Sequence, residues 1–112
     1  MIIEAVVLAY LKQKLNTDEV YMEIPEKLGG SFVTIQRVDA SKRNLINAAT
    51  LEIQAYAPTK YECALLDEQV REAMDNFAEE PEISASKFGG GNDSANTQIK
   101  KYRYRCYYNI YY

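Results

Sequence analysis

Residues Thr50 to Ala78, TLEIQAYAPTKYECALLDEQVREAMDNFA, read as a strand, a proline break and a long helix, and the other segments look arranged to pack against that unit. From Thr50 to Ala57 the side chains alternate, with Leu51, Ile53, Ala55 and Ala57 on one face and Glu52, Gln54 and Tyr56 on the other. That period of two is the pattern of a half-buried strand. Pro58 has no N–H for a sheet ladder and biases Ala57 toward extended backbone, so the strand stops there. Thr59 with Glu62 three residues on is a capping-box signature for a helix start. Cys63, Leu66, Val70, Ala73 and Phe77, joined by Met74, then recur at spacings of three and four, an apolar stripe on a helix of about five turns. Glu68, Arg71, Glu72 and Asp75 fall on the opposite face.

Before this unit, Met1 to Leu15 places Ile2, Ile3, Val6, Val7, Tyr10, Leu11 and Leu15 on a wide stripe, an amphipathic helix ending in Asn16-Thr17-Asp18. Glu19 to Ile24 alternates and closes at Pro25 as a short strand with Val20, Met22 and Ile24 on one side, and Glu26 to Gly30 is a turn. Ser31 to Val38 is a strand with Val33 and Ile35 inward, paired with Thr50 to Ala57 across the connection Asp39 to Ala49. That connection is long for a tight hairpin, and long loops are often working surfaces. After the helix, Pro81 marks a break. Glu82 to Phe88 reads as a strand, Gly89 to Ser94 as a flexible turn, and Thr97 to Tyr112 as the longest strand, with Tyr102, Tyr104, Cys106, Tyr108 and Ile110 on one face. The expected fold is α+β: a mostly antiparallel sheet of four to five strands with two helices on one face, in the order α-β-β-β-α-β-β.

A chain of 112 residues has room for one domain, 1–112. Its hydrophobic and charged fractions, 47% and 26%, are ordinary for a globular protein, and no apolar run approaches a bilayer span. The first fifteen residues lack a basic leader and a small-residue cleavage site, so they read as a native helix in a protein that stays in the cytoplasm. Cys63 and Cys106 fall at inward positions, which fits buried free thiols, with a single disulfide as the alternative. The charge is unevenly spread. Lys60 to Glu82 holds two basic residues against eight acidic, a balance of −6, while Gln98 to Tyr112 carries +4 from Lys100, Lys101, Arg103 and Arg105. One reading is two solvated faces of opposite sign; the other is that copies of the chain meet, acidic patch to basic patch.

Little reactive chemistry is encoded. There is no histidine, which removes the commonest general base and transition-metal ligand, and the two cysteines have no partner set for zinc. The carboxylates Glu68, Glu72 and Asp75 sit on a solvent face that needs no catalytic explanation. Gly89 to Gly91 lacks the following Lys-Ser/Thr and the helix start of a phosphate loop, so it reads as a hairpin turn. Two features remain. Six tyrosines occur between Tyr102 and Tyr112; those on the inward face serve the core, whereas Tyr107 and Tyr111 share the other face with Lys101, Arg103 and Arg105 and would leave their rings in water in a monomer. Lys42-Arg43 in the long loop is either a solvated tip or a contact for nucleic-acid backbone or an acidic surface.

The opening helix, the short strand ending in Ile24-Pro25, Phe32-Val33-Thr34-Ile35, the loop with Lys42-Arg43, Leu51 to Ala57 leading into a Glu-rich helix and the tyrosine-rich final strand together resemble tail terminator proteins. These are also called tail completion or minor tail proteins, and belong to long-tailed bacteriophages and prophages. The resemblance covers nearly the whole chain as a pattern of elements. It implies a structural virion protein that forms a hexameric ring on the head-proximal end of the tail tube, stops tube polymerisation and presents a surface to head-completion proteins. In that setting the long loop points toward the lumen or the tube, and genome DNA passes through without sequence-specific contact. The resemblance brings no catalytic residues, no cofactor and no membrane, and places the protein in the virion tail, assembled in the host cytoplasm. The expected contact residues are Lys42, Arg43, Arg103, Arg105, Tyr107 and Tyr111 on the basic and aromatic side, and Glu68, Glu72 and Asp75 on the acidic side. A head-tail connector or neck subunit, and a small adaptor domain binding a peptide at its sheet edge, are the competing readings.

Overall fold

A computed structural model describes residues 2–26, 30–43, 45–96 and 101–112. Met1, Lys27 to Gly29 of the expected turn, Asn44 of the expected loop and Thr97 to Lys100 at the head of the last expected strand lie outside the described residues, as do the side chains of Arg43, Asp93, Ser94, Ala95 and Asn96. The strand–proline–helix unit forms as its sequence dictates: β3 runs Ile46–Ala57 and α2 runs Lys60–Asp75. The Thr59 hydroxyl accepts the Glu62 N–H at 3.2 Å, satisfying one of the helix's orphan donors, an interaction worth about 1 kcal/mol. The far end of α2 is held differently. With no basic residue in its last turn, its final carbonyls are met by Asn76, whose side-chain amide donates to the Glu72 carbonyl at 3.2 Å.

The first helix, α1, covers Ile3–Leu15 and stops where Asn16 takes a left-handed conformation (φ 52°) and the Thr17 N–H closes on the Lys12 carbonyl at 3.1 Å. The strands are β1 (Val20–Tyr21), β2 (Phe32–Arg43), β3, β4 (Ala85–Asn96) and β5 (Lys101–Tyr111), and a 3-10 turn at Phe77–Glu79 follows α2. They form one sheet in the order β1-β2-β3-β5-β4, antiparallel except for the two-residue parallel pairing of β1 with β2. The fold is α+β, as the alternation of patterns predicts. The chain leaves β3, crosses by α2 to the far edge to lay down β4, and returns as β5 between them.

Both helices cover one face of the sheet. Ile3, Val7, Tyr10 and Leu11 from α1 and Val70, Met74 and Phe77 from the second helical segment meet Val33, Ile35, Leu51, Ile53, Cys106, Tyr108 and Ile110. Each such side chain stabilises by roughly 1.5–3 kcal/mol on burial. The Tyr10 hydroxyl donates to the Ala73 carbonyl at 2.5 Å while its ring meets Phe77 edge-on at 4.9 Å, so one residue ties the helices together.

Six expectations change. The connection Asp39 to Ala49 is ladder, not loop: Asp39 pairs with Thr50 and Arg43 with Ile46, and Leu45 lies in the turn between the two strands. The glycines are not a turn either, since β4 passes through Gly89 to Asn96 with an irregularity between Phe88 and Gly90. Its start slips to Ala85 because Glu82 sits at φ 72° in a turn. The strand around Glu19 to Ile24 shrinks to Val20–Tyr21, because the chain bends off the sheet edge at Met22, leaving Met22 and Ile24 exposed. Tyr102, expected inward, is exposed because it pairs with Ala57 at the end of the sheet where α2 only begins. The outward face of β3 is not solvated: Tyr56 is 1% and Glu52 8% exposed. There Phe32 stacks on Tyr56 at 4.6 Å and Tyr21 meets Phe32 edge-on, a small second core on the face away from the helices.

Candidate assembly surfaces

The nine expected contact residues occupy three places. Arg103, Arg105, Tyr107 and Tyr111 alternate along β5 with the buried Cys106, Tyr108 and Ile110, so they lie on the sheet face opposite the helices. Glu68, Glu72 and Asp75 are exposed on α2. Lys42, exposed, and the backbone of Arg43 are near the end of the β2–β3 arm. The sheet therefore separates the basic and aromatic set from the acidic set, and the arm places the third set apart from both.

On the sheet face, Arg105 is committed within the subunit. Its Nε donates to Asn92 Oδ1 at 3.1 Å, and its Nη1 lies 3.9 Å from Glu52 Oε1. Glu52 in turn accepts from Gln54 Nε2 at 2.5 Å, and Gln54 Oε1 accepts from the Tyr56 hydroxyl and, at 3.5 Å, from Thr34. This row from Tyr56 to Asn92 crosses three strands and closes the polar groups of a half-buried face on one another. Farther along β5, Thr50 donates to Asn109 Oδ1 at 2.8 Å and Lys87 Nζ stands 5.8 Å from the Tyr111 ring centre. Tyr107 and Tyr111 are each half-buried within the subunit.

On the helix side the acidic residues differ in their freedom. Asp75 accepts the Tyr108 hydroxyl at 3.2 Å, and the buried phenol, already penalised by desolvation and facing this carboxylate, titrates well above its ordinary range. Glu72 lines a cleft of about 540 Å3 between α1 and α2, together with Tyr10, Lys14, Gln69, Asn76 and Glu79.

One charged residue in the helix layer was invisible as such in the sequence. Asp67 is 5% exposed, four residues after Cys63 and three before Val70, and so stands in the apolar stripe. Burial raises its carboxyl above the usual value, and Arg71, with Nε 3.0 Å from Asp67 Oδ2, opposes the rise. The Arg71 guanidinium also lies over the Phe88 ring at 4.9 Å and against Gly91, where a Cβ would come within 2.5 Å of Nη2. The spacing Cys63-Asp67-Val70-Met74 is the signal that would have placed the acid inside.

Both cysteines are free and buried. The Cys106 thiol, desolvated and surrounded by Asp67, Asp75 and Glu52, is pushed up to about 12, which leaves it protonated and a poor nucleophile at neutral pH. Among the described residues no group of three or more Cys, Asp or Glu side chains could hold a metal ion, and no helix is long and apolar enough to cross a membrane. What these surfaces offer is charged and aromatic contact area on opposed faces. No protein-family model matches the sequence, and a search of curated proteins returns no match.

Proposed function

We propose that this chain is the structural subunit of a ring that caps the head-proximal end of a bacteriophage tail tube, stops its growth and offers the joining surface to head-completion proteins. The observation that carries the reading is the opposition of the two charged faces. Glu68 and Glu72 point away from the sheet on one side, while Arg103, Tyr107 and Tyr111 belong to the other side. A contact between unlike patches on opposite sides of one subunit is heterologous, and heterologous contacts close into rings or run on as filaments. The pattern of elements that resembles tail terminators supports the ring, and the acidic-to-basic pairing supports its sign. The subunit works by self-association and end-capping, without chemistry.

The second reading, a peptide-binding adaptor, draws on the outer edge of β4: among the described residues no strand pairs with it. The two separate on mass. Light scattering on the purified chain, alone and with short tail tubes, is expected to give a ring, or a monomer that becomes a ring at tube ends and blocks elongation. A monomer with no effect on tube length overturns the cap and favours the adaptor. A head-tail connector is separated by mixing with tube protein and head-completion protein in turn.

A further inference from the structure

The β2–β3 arm ends in an arrangement that gives the isolated subunit nothing. Leu45 is 87% exposed and takes φ 68°, a left-handed conformation that glycine or asparagine adopts readily and leucine does not. Its neighbour Ile46 and the bulge-side Val38 are exposed as well. A glycine at this turn would remove both the strain and the apolar exposure. Strain held at an exposed apolar tip points to use of that side chain outside the subunit.

A candidate receptor lies elsewhere on the subunit, on α1. Ile2 and, on α1, Ala5, Val6 and Ala9, together with Glu80, line an open, mostly apolar groove of about 600 Å3. Ala5 and Ala9 are small residues of its lining, and Glu80 stands in an acidic stretch of sequence with Glu79 and Glu82. The arm carries Lys42 beside its tip and Arg43 in sequence. The arm cannot reach the groove of its own subunit. Glu4, in the same turn of α1, lies 3.9 Å from Arg37, whereas Arg43 is six residues farther along a paired strand, roughly 20 Å away at the rise of extended chain.

We infer that Leu45 and Ile46 plug the α1 groove of a second copy of this chain, with Lys42 facing Glu80. The inference rests on the self-association in the ring reading and adds to the meeting of the charged faces a second contact between the same copies. Because tip and groove are different patches, each subunit gives one tip and receives one, which propagates around a ring.

The test uses the full chain, alone and with tail tubes. Leu45→Gly keeps or raises the melting temperature, because it relieves the left-handed strain, and weakens self-association about thirtyfold or more, the order expected for losing one buried leucine side chain. A mixture of Leu45→Cys and Ala9→Cys chains cross-links between copies under mild oxidation, while Leu45→Cys with Glu68→Cys does not; the native cysteines are buried. Rings that form from Leu45→Gly with unchanged affinity, or cross-links to the tube protein in place of Ala9→Cys, overturn this contact and leave the ring intact. A wild-type chain that never associates, with or without tubes, overturns both.

Discussion

Replacing Gly91 by alanine tests whether the Asp67–Arg71 pair is locked beneath β4. An added Cβ meets Arg71 Nη2 at 2.5 Å and the Arg105 carbonyl at 2.8 Å, both closer than real Cβ contacts come. The carbonyl belongs to the neighbouring strand of the ladder, so relief there requires moving β4 away from β5. The guanidinium could swing aside, but that abandons Phe88 and leaves Asp67, which is nearly fully buried and has one oxygen already without a hydrogen bond, without its cation. Overpacking of this kind costs about 1–3 kcal/mol, and since Arg71 is itself partly exposed the pair adds little beyond that. The expected loss is therefore about 2 kcal/mol, or a melting temperature lower by about 10 °C. Urea unfolding followed by circular dichroism would show a lower midpoint with unchanged slope. Arg71→Ala provides the second leg of a cycle: Gly91→Ala should cost about 1 kcal/mol less in that background, because one of the two collisions is gone. Gly30→Ala, which meets nothing within 4 Å, is the neutral control. A loss for Gly91→Ala below about 0.5 kcal/mol, or the same loss with and without Arg71, refutes the packing described.

Three further outcomes follow from the same structure. Asp67 has a folded-state carboxyl raised by burial, so the native state holds its proton to higher pH than the unfolded chain; its contribution to stability falls as pH rises above the model-compound value of 3.8, and the unfolding free energy of Asp67→Asn should lack that decline over the acid range. Cys63 and Cys106 should resist a thiol reagent at pH 8 in the native protein and both react in urea; fast reaction of either in the folded chain contradicts their burial. Thr59→Ala should lower stability by about 1 kcal/mol through loss of the Glu62 N–H acceptor, measured by thermal melts, while Thr59→Ser retains it.

Where one face was apolar and the other polar, the sequence announced the structure. The β3 alternation, the Pro58 break and the Thr59 cap fell where they were read, because each is a local signal that tertiary packing reinforces. The arm from Asp39 to Thr50 was hidden for the opposite reason. No helix covers it, so neither face is consistently apolar, and the register shift between Arg37 and Asp39 breaks the period of two; the ladder holds it as strand without leaving a hydrophobic trace. Gly89 to Gly91 looked like a turn because glycine usually marks one, whereas here Gly91 is small so that Arg71 can lie against the strand. Asp67 was left out of the apolar stripe because it is charged, although its spacing was that of the core. Among the candidate contact residues, the alternation along β5 correctly put Arg105 and Tyr107 on the outer face, but it could not show that Arg105 is already held by Asn92 and Glu52.

The position of β5 bears on how the molecule comes into being. The strand that sits between β3 and β4 is synthesised after both, so throughout translation β4 has no ladder partner and β3 offers an unpaired inner edge. The helices can meet each other and the β2–β3 ribbon early, through local contacts, yet the layer they cover stays split until Lys101 to Tyr111 emerges and zips both sides at once. Nascent chains halted before that point present two sticky edges and a bare apolar seam. The last strand decides whether those edges pair within the chain or with another chain.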